Sequence, residues 1–198
     1  MIAFNGDKLL KAGRIKLVKD KITSGQLVHG TYGEMQHGVM RGCAVFVTTC
    51  QSDNPHSYYE SELGIPKVLA RFEDVIFEGL KPPYDKQWPV KFLEAIEPGA
   101  DLSLVSPKFL YWLMLKNLKY EKLWREQDKK NEYADKVVAA IKQVAKLLKS
   151  WAATGLIDDS ARSAARSAEA AAWSAETDFY IKCSEKLLEL LREAPLCR

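Results

Sequence analysis

Apolar residues recur at helical spacing along most of the chain after residue 64, and this periodicity constrains the fold more than any other feature. In the first such segment, which follows Pro66 and is marked at its end by Gly79, the apolar residues are Val68, Leu69, Phe72, Val75, Ile76 and Leu80. Steps of three and four residues place side chains on one face of a helix. Since no segment after residue 60 alternates like a strand, the sequence predicts a mainly α protein.

Proline marks the start of three predicted helices. Pro66 opens the first, Pro89 opens a second that ends before Pro98, and Pro107 follows the predicted cap Ser106 of a third. Proline suits the first turn because that turn needs no backbone donor and the ring fixes φ near its helical value. These starts make residues 64–155 a predicted helical core.

The remaining helical segments complete a single-domain bundle. Residues 7–24 mix lysines with aliphatic side chains and predict a helix. The charged stretch 126–136 is either a loop or the exposed start of the last core helix, whose apolar stripe ends at Thr154. With 198 residues, against ~150 per typical domain, the chain predicts one domain over residues 1–198.

The last segment, residues 158–194, predicts one long alanine-rich helix. The alanines that line one face of it are Ala161, Ala164, Ala165, Ala168, Ala171, Ala172 and Ala175. Such a ridge allows close helix packing, either on a neighbour in the same chain or on its copy in a second subunit. Trp173 lies opposite the ridge, where exposure would favour a partner. A homo-oligomer is therefore predicted.

Residues 25–60 are the irregular part of the prediction. Five glycines fall between Gly25 and Gly42, which is incompatible with a comfortable helix interior; we call residues 25–42 the glycine-rich loop. The apolar run 43–50 that follows is either a buried strand or one helical turn. Residues 51–60 have the composition of turns.

Imidazoles and thiols gather in this irregular segment. All three histidines and two of the four cysteines lie within residues 29–56, and they are His29, His37, His56, Cys43 and Cys50. Tyr32 and Arg41 lie in the same stretch. Because binding and catalytic residues concentrate on loops held by a rigid scaffold, this segment is the predicted site.

Four interpretations of the segment remain open. A zinc site is disfavoured because these residues lack the tight pairing of zinc ligands, and neither a metal nor a cofactor is predicted. In an enzyme, Cys43 would be the nucleophile and His37 or His56 the base, with Arg41 and glycine amides lowering the thiol pKa.

In a binding protein, Arg41 and exposed glycine amides would hold a phosphate, while His29, Tyr32 and His56 line the pocket. The fourth interpretation is an ordinary loop with satisfied histidines. The acidic residues Glu73, Asp74 and Glu78 are expected to face water, with a place in the pocket as the alternative for Glu73 or Asp74.

Charge and hydropathy exclude some classes of protein. There are 29 basic and 26 acidic residues, a net charge of +3, so no nucleic-acid partner is predicted. The longest apolar stretch, Phe109–Leu115, is far shorter than the ~20 residues of a membrane span. With no signal-peptide pattern and few cysteines, we expect a cytoplasmic protein with reduced thiols and no membrane partner.

Five short segments resemble a family of uncharacterised phage and prophage proteins. They are MRGCAV at residues 40–45, ELGIP at 62–66, LARFED at 69–74, FEGL at 77–80 and GADL at 99–102. The Ala/Ser/Arg-rich C-terminal helix resembles that family too. The resemblance spans most of the chain from about residue 28. In that family a second cysteine often follows shortly after the segment that resembles RGCAV. In this chain Val47 stands four residues after Cys43 and the next cysteine is Cys50, which disfavours a metal or redox role for two cysteines.

The resemblance implies a function in the host cell. Small phage proteins often counter bacterial immunity, for instance by binding a nucleotide-derived signal. The expected function is therefore to bind and sequester a small phosphate-containing ligand of that type. The alternatives are a Cys/His-dependent hydrolase of such a ligand and a protein–protein interaction module acting through the alanine-rich helix.

Overall fold

The computed structural model describes residues 1–127, 132–171 and 177–197. Within them the chain is mainly helical, as predicted, with nine α-helices and one two-stranded hairpin. The helices are α1 (Lys8–Thr23), α2 (Ala44–Thr49), α3 (Pro55–Leu63), α4 (Lys67–Gly79), α5 (Tyr84–Ala95), α6 (Val105–Gln127), α7 (Glu132–Thr154), α8 (Asp159–Ala171) and α9 (Thr177–Arg192). The strands are β1 (Glu34–Gln36) and β2 (Val39–Arg41), paired antiparallel.

The helices group into two compact units. The first comprises residues 1–103 and 175–198 and the second residues 104–174. In the first, α2 is the centre: all six of its residues are buried, and α1, α3, α4 and α5 pack around it. The helix α9 joins this unit by packing on α4 and α5.

Both ends of the chain meet one segment of the first unit. Ala3 donates to Ala100 through a backbone bond of 3.0 Å, and Asp101 donates to Pro195 at 2.7 Å. Cys197 donates to the carbonyl of Gly99 at 2.9 Å. Residues far apart in sequence therefore close this unit.

The second unit consists of α6, α7 and α8, with α7 packed on both of the others. Its buried residues include Phe109, Leu113 and Leu148. Ala161 and Ala164 of the alanine ridge are buried here as well, so this part of the ridge packs on helices of the same chain. Ala165 is half-buried. The side chains of Ala168 and Ala171, together with Ala172, Ala175, Trp173 and residues 128–131 of the charged link, lie outside the described part of the chain.

Three boundaries differ from the sequence prediction. The segment 51–60 was predicted to consist of turns, but the helix α3 begins within it, at Pro55. The helix α5 does not start at Pro89 but at Tyr84, with Pro89 inside it; the ring removes one hydrogen bond just beyond the first turn, and burial of Trp88 and Phe92 outweighs that loss. The helix α6 begins at Val105, so Ser106 lies inside it and is not its cap. Of the two alternatives left open for residues 43–50, the structure has the helical turn, as α2.

Other predicted boundaries hold. Asp7 caps α1 by accepting from the amides of Leu9 and Leu10 at 2.7 and 3.2 Å, which fits the predicted helix 7–24. The helix α7 ends at Thr154 as predicted. Residues 172–176 are not described, so a single helix over 158–194 stays a prediction. In the described part of the chain, no helix combines the length and hydropathy needed to cross a membrane.

The basic run of α1 is engaged within the first unit. Lys11 and Lys19 contact the carbonyl and carboxylate of Glu94 of α5, both at 3.0 Å. Arg14 donates to the carbonyl of Thr48 at the end of α2 at 2.9 Å. These cations attach α1 to its neighbours, which is a structural role for charges on a half-solvated helix.

Candidate functional site

The glycine-rich loop folds back against α2. Val28 donates to Gly42 and Gly42 donates to Gln26, both at 2.9 Å, and the amide of Cys43 donates to Thr31 at 2.7 Å. Gly42 has no room for a side chain, because a Cβ there would lie 2.6 Å from Phe46 of α2. The start of α2 therefore fixes both ends of the loop.

The loop brings Tyr32 onto Asp74 of α4. The phenol of Tyr32 donates to Asp74 Oδ2 over 2.6 Å, and His56 Nε2 of α3 lies 3.3 Å from the same oxygen. The rings of Tyr32 and His56 meet edge to face with centroids 5.3 Å apart. The thiol of Cys43 also interacts with Asp74. We call Asp74, Tyr32, His56 and Cys43 the Asp74 cluster.

One oxygen of Asp74 has no partner. The side chain is only 9% exposed, and among the described residues no hydrogen-bond partner is found for its buried Oδ1. Leaving a buried acceptor unsatisfied costs about 1–3 kcal/mol, and such atoms are rare in folded proteins. The thiol of Cys43 also makes a weak hydrogen bond to the Asp74 carboxylate, and Oδ1 could still accept from a stronger donor.

Cys43 is the buried thiol at the start of α2. Burial raises its pKa, and the negative charge of Asp74 raises it further. This direction is opposite to the lowering by Arg41 and glycine amides expected from the sequence. At neutral pH the thiol is protonated, so Cys43 lacks the thiolate that a cysteine nucleophile needs.

A second carboxyl group lies beside the first. Glu73 is completely buried, its side chain accepts a hydrogen bond from Tyr59, and its carbonyl accepts from the indole of Trp88 at 2.9 Å. Burial raises the pKa of Glu73 to about 8, with the charge of Asp74 acting in the same direction. Glu73 is therefore mostly a neutral acid at pH 7.

The expectation that Glu73, Asp74 and Glu78 face water is wrong for the first two. The sequence carries a signal that could have shown this. Glu73 stands four residues after Leu69 and three before Ile76, so helical spacing puts it on the apolar face. Residue type alone had suggested the solvent side.

His29 fastens the first part of the loop to α4 and α5. Its ring stacks on Phe77 with centroids 4.3 Å apart and planes 14° from parallel. Nε2 lies 3.2 Å from Asp85 Oδ2 and Nδ1 lies 3.3 Å from Glu78 Oε2. The amide of Gly30 also donates to Glu78, at 3.0 Å. We call these contacts the His29 latch.

Two of the predicted residues lie outside both clusters. His37 occupies the exposed turn between β1 and β2 with a positive φ of 51°, and it has no hydrogen bond or ion pair among the described residues. Arg41 ends β2 opposite Glu34. Its Nε is buried and finds no hydrogen-bond partner in the described part of the chain. A catalytic role for Cys43 with His37 stays a prediction.

The structure thus brings Tyr32, Cys43 and His56 together and sets His29 on the neighbouring acids. The sequence analysis missed Asp85, and for this residue the sequence offered no signal, because its partner His29 is 56 positions away. Over residues 1–127, 132–171 and 177–197, no group of three His, Cys, Asp or Glu side chains could hold a metal ion.

Comparisons with known proteins add no assignment. The chain matches no family model, no curated protein and no solved structure. The resemblance to phage proteins consequently stays a prediction.

Proposed function

We propose that the protein binds a small nucleotide-derived ligand between the glycine-rich loop and α4, and sequesters it without chemical conversion. Four buried side-chain polar atoms lack a hydrogen-bond partner in the described part of the chain, and two of them, Asp74 Oδ1 and Arg41 Nε, carry this proposal. The other two, Thr48 Oγ1 and Glu73 Oε1, belong to completely buried residues of the core. Asp74 Oδ1 is an acceptor and Arg41 Nε is a donor. A nucleotide supplies the complement of both, since its base carries N–H groups and its phosphate carries oxygens.

Asp74 suits the base end of such a ligand. A carboxylate accepts from the amino and ring N–H groups of a nucleobase, and charge-assisted hydrogen bonds of this kind are among the stronger ones. Tyr32 and His56 would add aromatic surface next to the base. Tyr32 is 44% exposed, so it lies where a ligand could reach it.

Arg41 suits the phosphate end. The side chains of Asp74, Glu78 and Asp85 concentrate negative charge along α4 and the start of α5, and a phosphate placed there would be repelled. Arg41 lies near the C-terminal end of the glycine-rich loop, whereas His29, which contacts Glu78 and Asp85, lies near its start. The guanidinium of Arg41 can make the paired hydrogen bonds that phosphate oxygens prefer. The charge distribution therefore orients the ligand.

Binding is favoured over hydrolysis because the raised pKa keeps Cys43 protonated. The resemblance to phage proteins adds a setting, in which removal of a nucleotide signal from the host cytoplasm would counter bacterial immunity. We also propose that the protein forms a homo-oligomer, as predicted from the alanine ridge.

The test is calorimetric titration of the whole protein with nucleosides, nucleoside phosphates and cyclic oligonucleotides, followed by chromatography of the ligand recovered after denaturation. We expect at least one phosphate-bearing member to bind and to be recovered intact. Binding of none of them overturns the proposal. Conversion of the ligand overturns sequestration and favours the hydrolase, whose nucleophile Cys43→Ala then tests.

Two variants and two controls locate the site. Asp74→Asn is expected to weaken binding about tenfold or more through loss of a charged acceptor, and Arg41→Gln to weaken only phosphate-bearing ligands. Asp20→Asn and Arg162→Gln change exposed charges elsewhere and should leave the dissociation constant unchanged. Unaltered affinity in both Asp74→Asn and Arg41→Gln, with circular dichroism unchanged, would contradict the proposed site.

A further inference from the structure

A cavity lies in the first unit, among residues that the Asp74 cluster does not use. Its volume is about 340 Å³, and it is lined by Arg14, Thr49, Gln51, Tyr58, Glu62 and Leu63. We call it the α1–α3 cavity, after the two helices that supply most of its wall. Ligand pockets usually measure ~300–1,000 Å³, so this cavity accepts only a small molecule.

The cavity carries both signs of charge. Arg14 comes from α1 and Glu62 from α3, and among the described contacts no ion pair joins them. The side chain of Glu62, like those of Gln51 and Tyr58, has no hydrogen-bond partner in the described part of the chain. Arg14 uses Nη1 to hold the carbonyl of Thr48, which fixes its guanidinium at the cavity wall while other N–H groups stay available.

This combination selects for a class of ligand. A polyanion would be repelled by Glu62 and a simple cation by Arg14, whereas a molecule with a carboxylate at one end and an ammonium at the other satisfies both. Leu63 and the ring of Tyr58 provide apolar surface for an uncharged side chain of the ligand. The amide of Gln51 can donate hydrogen bonds to that side chain or accept them from it.

We propose that the α1–α3 cavity binds a zwitterionic molecule of the size of a free α-amino acid with an uncharged side chain. Arg14 holds its carboxylate and Glu62 holds its ammonium group. The proposal is independent of the nucleotide site, because none of the residues of the Asp74 cluster lines this cavity.

The experiment is titration of the full chain with the free amino acids, followed by NMR shifts of the amides of residues 49–51 and 58–63. We expect saturable shifts with at least one uncharged amino acid. The same amino acid with its carboxylate amidated, or with its amine acetylated, should bind at least tenfold more weakly. No saturable shift with any free amino acid, or equal binding of both blocked forms, overturns the proposal.

Variants provide the second arm. Glu62→Gln changes an exposed carboxylate and should abolish the preference for a free amine, while Arg14→Lys should weaken binding at least tenfold. Lys16→Gln, which removes another cation of α1 that does not line the cavity, is the control and should bind like the original protein. Unchanged affinity in Glu62→Gln would contradict the proposal even if Arg14→Lys failed to fold. Asp74→Asn should not affect this binding, which separates it from the nucleotide site.

Discussion

Two tyrosine–carboxylate pairs meet adjacent residues of α4, and the comparison between them separates structure from function in this protein. Tyr59 and Glu73 are both fully buried between helices, and we call them the core pair. Tyr32 and Asp74 join the glycine-rich loop to α4, and we call them the loop pair. Each pair joins a tyrosine phenol to a carboxyl group of α4. Tyr59 lies on the helix α3, whereas Tyr32 lies on the glycine-rich loop.

The difference teaches which group is available to a ligand. Glu73 has a raised pKa and holds a proton at pH 7, so the core pair acts as a neutral hydrogen-bonded unit inside the first unit. Asp74 Oδ2 contacts the phenol of Tyr32 and the imidazole of His56. Its Oδ1 has no hydrogen-bond partner among the described residues. Movement of the loop would uncover Asp74 and leave Glu73 where it is.

The largest expected effect is on the core pair. Glu73→Ala should lower the free energy of unfolding by about 3 kcal/mol, since it leaves a cavity and an unsatisfied phenol on Tyr59. Glu73→Gln should cost much less at pH 7, because a neutral amide replaces a neutral acid. Urea unfolding measures both, and Asp20→Ala, an exposed position, is the control. Equal losses for Ala and Gln would contradict a neutral Glu73.

The pH dependence of stability sharpens the same contrast. The folded protein keeps a proton on Glu73 up to about pH 8, while the unfolded chain releases it near the ordinary value of 4.5. Between these values the folded state binds more protons, so the free energy of unfolding falls as the pH rises. Urea titrations from pH 5 to pH 8.5 should show a shallower fall in Glu73→Gln. An identical slope would refute the assignment.

An intermediate effect on stability is expected at Gly42, the last residue of the glycine-rich loop. Gly42→Ala places a Cβ against Phe46 and should lower the free energy of unfolding by about 2–3 kcal/mol. Gly38→Ala is the matched control, since its φ is +78° but the space around it is open; it should cost about 1 kcal/mol. If both substitutions cost the same, the contact with Phe46 does not fix the loop.

The smallest effect is expected from Tyr32→Phe. Loss of the hydrogen bond to Asp74 should loosen the loop without unfolding α4, and amide exchange over residues 29–33 should accelerate about tenfold. Amides of α4 should exchange as before, and Tyr84→Phe, at an exposed tyrosine, serves as the control. Faster exchange in α4 as well would show that the two pairs are one cooperative structure.

The sequence predicted what is periodic and local. The spacing of Leu69, Phe72 and Ile76 predicted α4, and the stripe ending at Thr154 predicted the end of α7. Pro55 could have been recognised by the same rule as Pro66, since both stand at helix starts. The short helix α2 could not be distinguished from a strand, because a fully buried run carries no periodicity.

The candidate site was predictable only in part. Loop composition pointed to Tyr32, Cys43 and His56, which meet at Asp74. For Glu73 and Asp74 a place in the pocket was only the alternative to exposure, because charge was taken as a sign of exposure, whereas position on the helix decides burial. The contact of His29 with Asp85 depends on how the loop returns to α5, which no local pattern encodes.

The first unit has a consequence for the order of synthesis, because its two stretches are separated in sequence by the whole of the second unit. The ribosome produces all of α6, α7 and α8 before it reaches α9, which covers α4 and α5. The three-helix unit therefore has its complete sequence while the earlier helices still expose the surface that awaits α9. The nascent protein must keep that apolar surface from aggregating until α9 has been synthesised.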